Sequence, residues 1–90
     1  MEDNWNERGT NELLEDEIMI LETILKSTRE QKRNMETYME EIAEVMDKLK
    51  TKTAKQELAS ITTENYKKLL ELEMNIAIGE NELKIVKGKI

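Results

Sequence analysis

The 90-residue chain has no cysteine, histidine, proline or phenylalanine, and only 3% of it is aromatic, one Trp and two Tyr. Each absence closes off some chemistry. Without cysteine there is no disulfide and no thiolate. Without histidine as well, the usual zinc and haem ligand sets are gone, along with the side chain that most often moves protons at neutral pH. The Glu-x-x-His pairs of di-metal bundles cannot be assembled. Gly9, Gly79 and Gly88 stand singly, so there is no glycine-rich phosphate loop, and the Asp/Asn–Gly spacing of a calcium loop is missing. Ser27 and Ser60 have no base to activate them, and the neighbouring carboxylates Asp16/Glu17 and Glu40/Glu41 point apart on a helix instead of converging. The expectation is a non-enzymatic chain with no cofactor, no metal and no small-molecule substrate.

Long apolar runs are also lacking. The longest is Ile18 to Leu21, whereas a membrane span needs about 20 residues. Residues Met1 to Glu7 are acidic and polar, unlike a signal or transit peptide. Fourteen Lys and Arg against twenty Asp and Glu give a net charge of −6, and residues 10–50 hold eleven acids against six bases. Such a chain repels a phosphate backbone, so no direct nucleic-acid contact and no membrane insertion are expected. An intracellular, soluble location, cytoplasm or nucleus, fits this balance.

What is present is periodicity. Residues 1–9 show no apolar period and are expected to form a flexible leader ending at Gly9, with Thr10 or Asn11 capping a helix whose first turns carry Glu12, Glu15, Asp16 and Glu17. From there a 4-3 spacing runs through Leu14, Ile18, Leu21, Leu25, Thr28, Lys32, Met35, Met39, Ile42, Met46 and Leu49, nine of eleven apolar. That is the seam of a coiled-coil helix. Past Leu49 this phase would put Thr53, Gln56, Ser60 and Thr63 on the seam. A second phase replaces it: Leu58, Thr62, Asn65, Leu69, Leu72, Ile76, Gly79, Leu83, Val86 and Ile90. Between the two lies a polar, Lys-rich stretch in which Thr53 and Gln56 have capping-box spacing.

The expected fold is all-α: one domain over residues 10–90, a long antiparallel helical hairpin of coiled-coil type, with helices 10–50 and 53–90 and a turn at 50–53. A single bent helix is the alternative, because no Gly, Pro or Asn marks the turn. Folding at residue 51 would bring Leu25 opposite Ile76 to Asn81, and Lys32 near Leu70, within reach of Glu71 or Glu73. The apolar stripe widens through Leu13, Met19, Ile20 and Ile24 and again through Leu70, Met74, Ala77 and Ile78, two zones expected at about the same level. A chain this short has little core of its own, and a stripe wider than a two-helix seam calls for more helices. Oligomerisation, with itself or with other proteins, is therefore expected to complete a three- or four-helix or larger bundle. The expected interface comprises Leu14, Ile18, Ile20, Leu21, Ile24, Leu25, Met35, Met39, Ile42, Met46, Leu69, Leu70, Leu72, Met74, Ile76, Ile78 and Leu83.

Two seam positions are informative because they are polar. Lys32 and Asn65 are read as register-setting, since a polar residue on a seam costs stability and penalises wrong pairings. The cluster Lys26, Arg29, Lys32 and Arg33 reads either as a docking patch for an acidic partner or as a solvated band bracketed by Glu22, Glu30 and Glu36. Met35, Met39 and Met46 read as core filling or as an adaptable groove. Trp5 reads as a binding anchor or as a side chain folded onto the bundle end. The pattern of two long amphipathic arms is similar to small coiled-coil subunits of kinetochore, spindle, vesicle-tethering and synapsis complexes and to phage scaffolding proteins, a likeness of pattern that assigns no residue a role. Two functions follow: a structural subunit acting as scaffold or spacer in a protein complex, or a small acidic module that inhibits or adapts a basic partner.

Overall fold

The computed structural model describes residues 2–90, and their side chains from Asn11 onward. Two helices account for almost all of it: α1 (Glu2–Lys48) and α2 (Lys52–Lys87). They fold back on each other as an extended hairpin, a rod of 75 × 15 × 15 Å. The change of phase in the sequence accounts for the reversal. Nine residues separate Leu49 from Leu58, which is about two and a half turns at ~3.6 residues per turn. One unbroken helix would therefore carry its two seams on opposite sides. A turn lets them meet.

The turn is tighter than expected and is capped by a different threonine. Its residues are Leu49, Lys50 and Thr51. Thr51 is extended, at φ −103° and ψ 146°, and its hydroxyl accepts the Ala54 N–H at 3.2 Å while its carbonyl accepts the Lys55 N–H at 3.1 Å. This satisfies donors that the first turn of a helix leaves open. Thr53, expected as the cap, already lies inside α2 and cannot serve. Lys48 closes α1, where a positive charge meets the negative end of the helix.

The outer ends of both helices lie away from this turn. α1 opens at Glu2 and its backbone passes through Gly9, which costs about 1 kcal/mol relative to Ala without compelling a break. The expected leader was placed on residues 1–9. Met1, and the side chains of residues 2–10 with Trp5 among them, lie outside the described residues. α2 stops at Lys87, and the chain winds down through Gly88 N–H to Lys84 C=O at 3.1 Å and Lys89 N–H to Val86 C=O at 3.0 Å.

Burial follows the two seams. Every α1 seam position from Leu14 to Leu49, and every α2 seam position from Leu58 to Val86, is buried or half-buried. Among the described residues Leu14, Leu25, Ile42 and Leu72 are buried and the rest of these seam residues half-buried. Leu25 is the most enclosed, at 2% exposure, and its neighbour across the seam explains one glycine. A Cβ on Gly79 would stand 2.8 Å from Leu25 Cδ2, so the missing side chain is what admits the leucine.

Candidate interaction surfaces

In a two-helix seam written with heptad letters, a and d face the partner. The positions e and b lie on one flank, g and c on the other. Antiparallel packing sets e beside e and g beside g. The first of these flanks is held by charge. Arg29 Nη2 donates to Glu80 Oε1 at 2.8 Å, and Lys87 Nζ lies 3.8 Å from Glu22 Oε1, all four residues being e positions. Lys32, an a position, sends its ammonium to the same side, 3.7 Å from Glu73 and 3.9 Å from Glu36. These carboxylates and cations are about half exposed, so each pair adds at most about 1 kcal/mol. Their combined effect is to make this flank wet.

Along α1 from Asn11 onward, the e and b positions hold nine charged residues, Glu12 to Asp47, whereas the g and c positions hold three, Glu17, Glu41 and Lys48. Apolar residues show the reverse bias. Thirteen large hydrophobic side chains are exposed among the described residues, and eight of them are at g or c: Leu13, Ile20, Ile24, Tyr38, Val45, Ile61, Ile78 and Ile85. Met19, Tyr66 and Leu70 lie on the charged flank, Met74 on the back of α2, and Ile90 at its end. Hence the g/c flank carries most of the uncovered apolar side chains, interspersed on α2 with Glu64, Lys68, Glu71, Glu82 and Lys89.

The expected interface residues divide accordingly. Leu14, Ile18, Leu21, Leu25, Met35, Met39, Ile42, Met46, Leu69, Leu72, Ile76 and Leu83 form the hairpin's own seam, while Ile20, Ile24, Leu70, Met74 and Ile78 stay outside it, each more than half exposed. The two widened zones do not share a level. Leu25 packs on Gly79 and Lys32 reaches Glu73, so residues 13–25 lie beyond the end of residues 69–78 along the rod. They are also split between flanks, with Ile20, Ile24 and Ile78 on one and Leu70 and Ala77 on the other. The heptad spacing does place Ile20, Ile24 and Ile78 at g or c and Leu70 and Ala77 at b; an expectation that counts only the width of the apolar stripe passes over it.

Polar seam residues behave in three ways. Thr28 and Thr62 donate to their own helix, to Ile24 C=O at 2.8 Å and Leu58 C=O at 2.9 Å, and so need no partner. Lys32 keeps its charge at the edge. Asn65 does neither: its amide nitrogen is buried with no hydrogen-bond partner. The basic cluster is partly engaged, since Arg29 and Lys32 are paired with acids of α2. Met35, Met39 and Met46 are half-buried in the seam.

Open grooves lie along the rod among the described residues. One, of about 640 Å³, runs beside the charged flank between Glu15, Met19, Glu22, Arg29 and Lys87. Another, of about 310 Å³, lies on the g/c flank between Gln31, Asn34, Met35, Tyr38, Lys68 and Leu72. No three carboxylates converge as a metal-binding group among the described residues, and no helix is long and apolar enough to cross a membrane. Comparison with known protein families, with curated proteins and with solved structures gives no significant match.

Proposed function

We propose that this chain is a non-enzymatic structural subunit, a spacer or scaffold that works by packing its rod against further helices in a protein assembly. The observation that carries the reading is the g/c flank: a 75 Å rod that covers its seam leaves eight large hydrophobic side chains exposed along one side. Water-exposed apolar surface of this extent marks an interaction site. A third and fourth helix would cover it and complete a bundle, and would also bury the seam residues that two helices leave half-exposed.

The acidic-module reading has its own support, five carboxylates and no base over residues 11–25. The two readings part on salt. A scaffold held by apolar contact keeps its partner at high ionic strength, whereas an acidic module on a basic surface loses it. Light scattering on the purified chain, together with cross-linked pull-down at low and high salt, tests the proposal. Association that survives high salt is the expected result. A monomer with no salt-resistant partner ends it.

A further inference from the structure

We infer that the g/c flank is covered by a second copy of this chain, laid antiparallel across a twofold axis that passes near Gln31 and Asn75, giving a four-helix bundle. The inference rests on the assembly reading above and specifies its partner and geometry.

Charge chooses the direction. Residues 26–79 carry ten acids and ten bases, while at the open end of the rod residues 11–25 and 80–90 carry seven acids and three bases, a net of −4. At the other end Lys48, Lys50, Lys52 and Lys55 stand within one short stretch that holds no acid. Two rods side by side in the same sense would stack both acidic ends and both lysine tips. Reversing one keeps the two acidic ends apart and, with residues paired about Gln31, sets Lys50 opposite the other copy's Glu12.

The g positions nearest the axis then match, while one heptad further out Glu17 meets Val45 and Ile61 meets Lys89. Ile24 and Tyr38 lie seven residues either side of Gln31, and Lys68 and Glu82 lie seven either side of Asn75. The Lys32–Glu73 contact puts Gln31 and Asn75 at about the same level. About an axis there, Ile24 faces the other copy's Tyr38 and Lys68 faces its Glu82, each twice. Residues on the axis meet their own copies, where a charge would face its like. Both are amides, and an amide can donate to and accept from its twin. The groove beside Gln31, Asn34, Tyr38 and Lys68 lies at this centre, open to receive side chains.

Because the chain has no cysteine, single cysteines report the geometry cleanly. Gln31 is exposed, so Gln31→Cys leaves the hairpin intact, and its far-ultraviolet circular dichroism verifies that. Under mild oxidation Gln31→Cys should form a disulfide dimer, and a mixture of Ile24→Cys and Tyr38→Cys chains should form the mixed dimer, since a disulfide requires Cα atoms within about 7 Å. Sedimentation equilibrium should show a dimer for the unaltered chain. Ile24→Glu should weaken it at least about thirtyfold, and Leu70→Glu, on the other flank, little. A disulfide between Ile20→Cys and Ile85→Cys chains in place of these would mean parallel packing and overturn the inference, as would a monomer at micromolar concentration. If that monomer still holds a different helical protein at high salt, the structural-subunit reading stands and only the second copy is wrong. If it holds none, both fall.

Discussion

At the scale of single residues, Leu25 is the most enclosed of the described residues, packed on Gly79, while Asn65 has an unpartnered amide nitrogen. Gly79 is the one seam position where the sequence looks defective and the structure shows a complement, a hole for a buried leucine. Leu25→Ala should cost about 2–4 kcal/mol and Gly79→Leu about 1–3 kcal/mol by overpacking. The double exchange, which moves the large side chain to the opposite helix, should lose clearly less than the sum in chemical denaturation. Additive losses would mean that the two residues do not share a site. Asn65 calls for the opposite change. Its buried amide nitrogen has no partner, so Asn65→Leu should stabilise the hairpin by about 1–3 kcal/mol of recovered desolvation and raise its melting temperature. A lower melting point would show that the amide is bonded after all. The sequence marked Lys32 and Asn65 alike as polar seam residues. It could not separate them, because reach decides: a lysine stem carries its charge out to Glu73, and an asparagine side chain is too short to leave the seam.

At the scale of elements, both helices and their facing sides were legible in the 4-3 spacing, residue for residue from Leu14 to Val86, because one slip of phase would have moved the apolar set out of the seam. The ends were less legible. Capping depends on which threonine adopts an extended backbone, and Thr51 and Thr53 look equivalent in a run of lysines and threonines. The structure makes them unequal. Thr51→Ala should destabilise the hairpin by about 1 kcal/mol through loss of the bond to the Ala54 N–H, while Thr53→Ala should be close to neutral. Parallel urea titrations decide it, and equal losses would return the cap to Thr53. The widened stripe was legible as an excess of apolar residues but not as a flank. Assigning Ile24 and Ile78 to one side and Leu70 to the other needs the heptad letter of each residue as well as the antiparallel pairing, and the count of apolar residues carries neither.

At the scale of the whole molecule, the rod has no buried charge among the described residues, and its interhelical ion pairs are all substantially exposed. Its melting temperature should therefore change little between low salt and about 1 M salt, where the screening length falls to about 3 Å. A large drop would show that the charged flank, and not the seam, holds the hairpin closed. One feature of the fold reaches further. The three-residue turn sends α2 back along α1, so the chain enters and leaves the rod at the same end, with the Leu49–Thr51 tip far away. Tension between the two chain ends would pull the helices apart like a zipper, breaking one layer of seam contacts at a time and reaching Leu25 and Gly79 well before Ile42. Pulling the same ends lengthwise against a partner lying along the rod would load every layer at once, in shear. A single rod is thus a weak link, and one clamped along its side a strong one.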